Sequence, residues 1–188
     1  MARPKSEDKR IALLEAAVRV FVAHGLGAPT ALISKEAGVA NGTLFTYFDT
    51  KGELVQQLYR ELKLEMASAL LRGLLEEKGL RERFFHVWSN WMHWAMSNPD
   101  KLRVLALLAV SEDVTPELRV EVGKFMWKVE VLLEQSRANG PLRDAPIAFV
   151  GEILTSLANA TMGFMASDPE NAEQHCKTGF EALWRVIG

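Results

Sequence analysis

The stretch from Thr30 to Lys51 constrains this chain more than any other part of it. Its sequence, TALISKEAGVANGTLFTYFDTK, predicts a helix, a tight turn at Gly38, a second helix opening at Ala40 and Asn41, and the first turn of a third. Glycine suits the sharp turn because it has no Cβ to clash. We expect the apolar residues of the two short helices to share one small core: Ala31, Leu32, Ile33, Ala37, Val39 and Leu44.

The polar residues of the second helix suggest a phosphate-binding surface. Asn41 is interpreted as a polar cap followed by Gly42, the smallest residue, so that backbone N–H groups can approach an anion. Hydroxyl groups and one ammonium follow along or near this helix: Thr43, Thr46, Tyr47 and Lys51. Such groups hold the phosphates of DNA, so the stretch predicts a helix-turn-helix that reads DNA.

The alternative is that Leu44, Phe45 and Phe48 merely fill a small core while the polar residues are solvated. For Phe48 we expect this interpretation to hold, with its ring buried. Lys35 is expected to face solvent.

The N-terminal part of the chain is basic and the remainder is acidic, as expected for a DNA-binding head (residues 1–51) followed by a regulatory body. The 188-residue chain has a net charge of −2. Residues 1–51 hold seven basic and five acidic residues, which gives +2, and the remainder carries −4. Arg3 and Lys5 lie in a polar arm at the start, which is predicted to be a plain disordered end or a segment that follows DNA.

Composition indicates a soluble globular protein, with 48% apolar and 24% charged residues. The single cysteine, Cys176, allows no intramolecular disulfide and fits a reducing cytoplasm. We expect no apolar run near the ~18 residues of a membrane span, and the start MARPKSEDKR has no secretory signal. The predicted location is therefore cytoplasmic, without a membrane partner.

The rest of the chain also predicts helices, giving an all-α protein of about nine helices without strands. A long helix from Asp49, with an apolar residue at every fourth position, is expected to end at Gly79 and to link two domains, 1–52 and 53–188. The other predicted helices cover residues 8–24, 81–97, 99–110, 117–137, 145–166 and 169–187.

The run from Ala12 to Leu54, with its core AGV-xxGTLFxYFxxK, resembles the N-terminal domain of TetR-family transcriptional regulators. Other segments, among them LAVSE at 108–112 and GFEALWR near the end, are similar to multidrug-responsive repressors of that family. The resemblance implies a three-helix helix-turn-helix domain followed by a helical ligand-binding and dimerisation domain.

The same resemblance assigns DNA contacts by position. The positions that face the DNA backbone are Thr30, Thr43, Phe45, Tyr47 and Lys51, and those that face base edges are Ala40, Asn41, Gly42 and Thr46. The family usually has tyrosine where this chain has Phe45, so one phosphate hydrogen bond is expected to be missing.

An aromatic stripe on the fifth predicted helix is either core or the wall of a ligand pocket. Trp88, Trp91 and Trp94 recur every three residues, and flat aromatic walls suit a planar apolar ligand. Indoles would also attract a cationic ligand. Together with the resemblance, this predicts a small hydrophobic or aromatic inducer that contacts Tyr59, Met66, Trp88, Trp91, Leu133 and Leu154.

Relatives of the multidrug-responsive type carry an aromatic residue and a carboxylate on the eighth helix. This chain has Leu154 and Gly151 at those positions, which predicts weaker stacking and weaker recognition of cations.

The last two helices are predicted to form a homodimer, because they are apolar on more than one face and the first carries a small stripe of Ser156, Ala160 and Gly163. A dimer would place two recognition helices in successive major grooves of a near-palindromic operator. The alternative is a helical interaction module whose head docks a protein partner. Enzyme activity finds no support in catalytic motifs, and no metal or cofactor is expected, since His86 and His93 lie about 10 Å apart along one helix.

Overall fold

The computed structural model describes residues 6–188, and in that part of the chain the regular structure is entirely helical. The predicted all-α class is confirmed. Arg3 and Lys5 of the predicted arm lie outside the described residues. The described helices are α1 (Glu7–His24), α2 (Thr30–Glu36), α3 (Asn41–Tyr47), α4 (Lys51–Leu71), α5 (Leu80–Ser97), α6 (Pro99–Ala109), α7 (Pro116–Gly123), α8 (Trp127–Arg137), α9 (Ile147–Ser167) and α10 (Ala172–Ile187).

Two compact units make up the described chain. The first contains residues 6–64 and 99–123, and the second contains residues 65–98 and 124–188. Helix α4 contributes to both units, since it starts at Lys51 and ends at Leu71. The predicted boundary between residues 52 and 53 concerns functional domains and stays a prediction.

The first unit is built around a small apolar core. Phe48 has no exposed surface, which confirms its predicted place in the core. Ile33 and Leu44 are likewise fully buried. Ala31 and Leu32 are exposed, however, so their expected burial is wrong. Helix α2 has only seven residues, and such a short helix can turn only a narrow stripe toward the core.

Ion pairs fix α4 within the first unit. Arg10 of α1 donates to Glu61 at 2.5 Å and to Glu7 at 2.9 Å. Arg60 of α4 donates to both carboxylate oxygens of Glu121 on α7, at 2.9 and 2.8 Å. Surface pairs of this kind contribute about 0–1 kcal/mol each, so they orient α4 more than they stabilise the unit.

Helix α4 is shorter than predicted at its C-terminal end. It ends at Leu71 instead of continuing to Gly79, and Gly73 takes the left-handed φ of 69° that stops a helix. The side-chain amide of Asn90 on α5 donates to the carbonyls of Leu70 and Arg72, both at 3.0 Å. The carbonyl of Leu70 in the last turn of α4 and that of Arg72 just after it are thus bonded by a side chain of another helix, a contact that the apolar pattern of the sequence does not show.

The core of the second unit joins α5, α9 and α10. Phe84 of α5 lies 6.4 Å, centroid to centroid, from both Phe180 and Trp184 of α10. Gly179 of α10 approaches α9 so closely that a Cβ at this position would lie 2.1 Å from the hydroxyl oxygen of Thr161. Glycine is required here by close helix packing.

The predicted helix 117–137 is interrupted. One turn of 3-10 helix, Lys124–Met126, separates α7 from α8, directly after Gly123. Glycine has a low helix propensity, which weakens the pattern at this point. Counting α7 and α8 as the single helix expected from the sequence gives nine helices in the described chain.

Helix α9 is long and apolar enough to cross a membrane by length and composition, so the expectation that no such run exists was wrong. Only 28% of its most apolar stretch is buried, and one such helix is weak evidence for a membrane span. Its exposed residues include Phe149 and Phe164. The outward residues of α10 are mostly polar, so the expectation that both last helices are apolar on several faces holds mainly for α9.

Candidate nucleic-acid interface

The turn between α2 and α3 has the geometry that the sequence predicted. Gly38 has a φ of 68°, and its N–H donates to the carbonyl of Lys35 at 3.1 Å. The N–H of Val39 donates to the carbonyl of Ser34 at 3.0 Å. Ala40 then takes an extended conformation and α3 begins. The two helices are thus joined by a hydrogen-bonded turn of four residues, 37–40, as in a helix-turn-helix.

Helix α3 buries one residue, Leu44, and turns most of the others outward. Gly42 is informative because its φ is not in the left-handed region and an added Cβ would meet no atom within 4 Å. Nothing in the described protein therefore requires glycine here, and its open surface allows close approach by a partner. The exposed residues around it are Ala40, Asn41, Phe45 and Thr46, with Thr43 and Tyr47 partly exposed.

Asn41 is not the cap that the sequence suggested. Ala40 is the N-cap, and Asn41 is the first helical residue. The Asn41 side-chain oxygen instead accepts a long hydrogen bond, 3.4 Å, from the hydroxyl of Ser34. Thr46 makes a similarly long bond, 3.4 Å, to the carbonyl of Gly42. Bonds of this length are weak and are easily exchanged for bonds to base edges.

The hydroxyl oxygen of Tyr47 accepts a hydrogen bond from the backbone N–H of Ser6 at 3.0 Å. Its hydroxyl proton remains available to a phosphate oxygen. Sequence reasoning missed Ser6, which is the N-cap of α1 and lies 41 residues away. The contact fixes the start of α1 beside the end of α3.

Thr30 and Lys51 are the first residues of α2 and α4, and both are partly exposed. The acidic residue nearest to the turn, Glu36, is paired with Arg19 at 2.6 Å. Within residues 6–188, Lys35 and Lys51 form no ion pair. The ammonium groups of Lys35 and Lys51, on the elements α2 and α4 that flank α3, are thus without an ion-pair partner among the described residues, and so are the carboxylates of Asp49 and Glu53.

The residues predicted to contact an inducer lie in both units. Tyr59, in the first unit, is buried, and the ammonium of Lys63 lies 5.7 Å from its ring centroid. Burial raises the pKa of Tyr59 and lowers the pKa of Lys63. In the second unit Met66 and Leu133 are buried, whereas Leu154 is partly exposed.

The three tryptophans of α5 have different partners. The indole N–H of Trp88 donates to the carbonyl of Cys176 at 3.0 Å, and that of Trp94 donates to Glu65 at 3.2 Å. The ring nitrogen of Trp91 is buried and has no hydrogen-bond partner among the described residues. Trp91 meets Trp88 edge to face, with centroids 6.4 Å apart. Trp91 is therefore the tryptophan with a donor left for a ligand.

The histidines of α5 have structural contacts. His86 lies 2.7 Å from the carbonyl of Arg72, and His93 lies 2.7 Å from Glu173, whose hydrogen bond raises the pKa of His93. Cys176 is buried. Among residues 6–188, no group of three His, Cys, Asp or Glu side chains is placed to hold a metal ion.

Comparison with known proteins shows the family to which this chain belongs. Residues 13–58 match the model of bacterial regulatory proteins of the tetR family. A TetR-family transcription regulator from Shewanella sp. PV-4 has a solved structure that is 30% identical, with a TM-score of 0.83, covering 94% of this chain and 96% of that one. The chain belongs to the TetR family of transcriptional regulators. TetR-family proteins are DNA-binding regulators and not enzymes.

Two further TetR-like relatives extend the comparison. A TetR-family regulator from Marinobacter aquaeolei VT8 shares the fold at 22% identity, with a TM-score of 0.85, over 95% of this chain and 94% of that one. The nucleoid occlusion factor SlmA of Haemophilus influenzae strain PittGG is 25% identical over 161 residues, which are 84% of this chain and 73% of SlmA.

Proposed function

We propose that this TetR-family regulator is a cytoplasmic repressor that binds a near-palindromic operator as a homodimer and is released by a small hydrophobic or aromatic inducer. The observation that carries the proposal is the outward face of α3, where Gly42 is open and Asn41 and Thr46 make only long internal hydrogen bonds. These are suitable groups for the major groove, since an amide can read a base edge and a threonine methyl can contact thymine.

The test is selection of bound fragments from sheared genomic DNA by the purified protein at low salt and without ligand. We expect enrichment of a shared inverted repeat beside a promoter. Failure to enrich any site under these conditions would contradict the proposal and favour a protein partner for the head.

Lys51→Gln is expected to weaken binding to the selected operator. The loss of affinity should be similar for every sequence variant of that operator. Because each lysine–phosphate contact releases counterions, the slope of log affinity against log salt should fall by about 1 for each protomer. Fluorescence anisotropy at several salt concentrations measures this slope. Lys177→Gln, at an exposed lysine of α10, serves as the matched control and should leave the slope unchanged. An unchanged slope in Lys51→Gln would show that Lys51 does not contact phosphate.

The homodimer proposal is supported by the exposed apolar side of α9. Among its 21 residues α9 has one charged residue, Glu152, and it exposes the small stripe of Ser156, Ala160 and Gly163 beside Phe164. Small residues let two such helices approach closely, and a twofold copy would cover the exposed rings.

Phe164→Glu is expected to convert the dimer into a monomer, because a charge would be buried in an apolar contact. Phe164 is 63% exposed in the single chain, so its own fold should tolerate the change. Sedimentation at micromolar concentration should show the mass falling from twice 21.0 kDa to 21.0 kDa. Val110→Glu, at a side chain that is 82% exposed in the first unit, should leave the mass unchanged. A monomeric wild-type protein would contradict the dimer.

The inducer proposal draws on the sequence resemblance to multidrug-responsive repressors described above and on the unpaired indole N–H of Trp91. We infer that the inducer contacts the assigned residues of the second unit, namely Met66, Trp88, Trp91, Leu133 and Leu154, and that Leu154 and Gly151 alter its chemical class relative to the inducers of multidrug-responsive repressors. Helix α4 belongs to both compact units, so it is the proposed link from ligand to Lys51. A few kcal/mol of differential affinity is enough for roughly a 100-fold loss of DNA binding. Efflux or stress-response genes are the proposed targets.

A second candidate function is binding of a protein partner by the N-terminal helix-turn-helix head or by the rest of the chain. The similarity to the nucleoid occlusion factor SlmA supports this second candidate, because that relative is named for a process other than transcription. Steep loss of DNA affinity with salt, together with an enriched inverted repeat, separates the repressor from this alternative.

A further inference from the structure

The second unit contains a cavity of about 260 Å³ beside the connection between α4 and α5. Its volume lies just below the ~300 Å³ at which ligand pockets of proteins usually begin, so it suits a small molecule. Its lining combines apolar and basic side chains: Leu74, Leu75, Phe85, Lys78, Arg83 and His86. None of the residues assigned to inducer contact lines this cavity.

The basic side chains of the cavity retain unused hydrogen-bond donors. The Nε atom of Arg83 is buried and has no partner among the described residues. Its terminal Nη2 reaches only the side-chain oxygen of Gln135, at a long 3.4 Å. Because this Nε atom has almost no accessible surface, a cavity ligand would bind the terminal nitrogens of the guanidinium, which can donate charge-assisted hydrogen bonds to a carboxylate.

The remaining charges favour an anion. Lys78 forms no ion pair within residues 6–188. The one carboxylate in the lining, Glu82, accepts the backbone N–H of Gly79 at 3.3 Å and so helps to cap α5. The lining thus contains two cationic side chains, Lys78 and Arg83, and one carboxylate, Glu82, which already accepts a hydrogen bond.

Hydrogen bonds within the protein hold one wall of the cavity in place. The Nε2 atom of His86 lies 2.7 Å from the carbonyl of Arg72 and 3.1 Å from the side-chain nitrogen of Asn90. Asn90 donates to the same carbonyl and to that of Leu70. A Cβ on Gly73 would lie 3.8 Å from the His86 ring, so loop and ring are in close contact. Pre-formed walls reduce the entropic cost of binding.

We propose that this cavity is a second effector site, which binds a small organic carboxylate with an apolar body. Arg83 and Lys78 bind the carboxylate. Leu74, Leu75 and Phe85 cover the apolar body, and Leu75 is 51% exposed without a ligand. Gly73 and Leu74, which follow α4 after Arg72, also line the cavity. The site differs from the proposed inducer site in its residues, and its ligand carries a negative charge.

The test is isothermal titration of the full chain with octanoate, benzoate and 3-phenylpropionate, and with octanamide as the uncharged counterpart of octanoate. We expect at least one carboxylate to bind with one site per chain and octanamide to bind at least tenfold more weakly. Arg83→Gln and Lys78→Gln should each weaken carboxylate binding by about tenfold, as expected for loss of a charge-assisted hydrogen bond. Arg185→Gln, at an exposed arginine of α10 without an ion pair among the described residues, should have no effect.

Three results would overturn the proposal. The first is failure of all three carboxylates to bind at the highest concentration titrated. The second is equal binding of octanoate and octanamide, and the third is unchanged affinity in both cavity variants. A circular dichroism melt of each variant shows that weaker binding does not come from unfolding. Operator binding is measured separately, so failure of the repressor proposal would not affect this result.

Discussion

Phe48→Ala is expected to unfold the first unit and abolish DNA binding. Phe48 has no exposed surface, so truncation removes a buried ring and leaves a cavity in a small core. Such changes cost about 3–5 kcal/mol, a large part of the ~5–15 kcal/mol by which whole proteins are stable. Urea denaturation followed by far-UV circular dichroism measures the loss, and operator binding should disappear together with the fold.

Phe45→Ala, three residues earlier on α3, is the matched control. Phe45 is 44% exposed, so its removal should change the free energy of unfolding by no more than about 0.5 kcal/mol. Operator affinity should nevertheless fall, because Phe45 lies on the outward face of α3. If Phe45→Ala unfolds the protein, or if Phe48→Ala stays folded, the assignment of one ring to the core and the other to the interface is wrong.

Trp88→Ala is expected to destabilise the second unit by about 3–5 kcal/mol, the cost of truncating a buried aromatic side chain. Trp88 is only 2% exposed, and its indole N–H donates to the carbonyl of Cys176 on α10. The change therefore removes apolar packing and a buried hydrogen bond together. Thermal melts followed by circular dichroism measure the loss.

Two further variants separate a structural role from a ligand role. Trp88→Phe keeps much of the apolar ring and removes the donor, so its loss of stability should be intermediate. Trp127→Ala, at a tryptophan that is 56% exposed, should change stability little. If Trp88→Ala keeps wild-type stability and operator affinity but loses the inducer response, Trp88 is a ligand contact and not a structural one.

These outcomes bear on which aromatic residue recognises the inducer. Trp88 already uses its donor within the second unit, whereas the buried nitrogen of the neighbouring Trp91 has no partner in the described chain. We therefore expect inducer response to be more sensitive to Trp91→Phe than to the same change at Trp94, whose N–H is bonded to Glu65.

Short-range features of the fold follow from local sequence. The turn at Gly38 requires a left-handed φ that glycine adopts without strain, and the structure places it there. The limits of α5 agree with prediction within one residue, because Gly79 precedes the helix and Asn98-Pro99 ends it. Burial of Phe48 also follows from the pattern of apolar residues. These features could be predicted from rules that concern residues three or four positions apart in the sequence.

Other features depended on residues far apart in sequence, and only tertiary structure decided them. Helix α4 ends at Leu71 and not near Gly79, and Asn90 of α5 bonds the carbonyl of Leu70 in its last turn. Tyr47 is held by Ser6, 41 residues away, and the Trp88 donor is bonded to Cys176, 88 residues away. Sequence by itself determined an all-helical chain with a helix-turn-helix. It did not determine which polar groups find partners, because hydrogen bonding depends on atomic distances that arise only when helices pack.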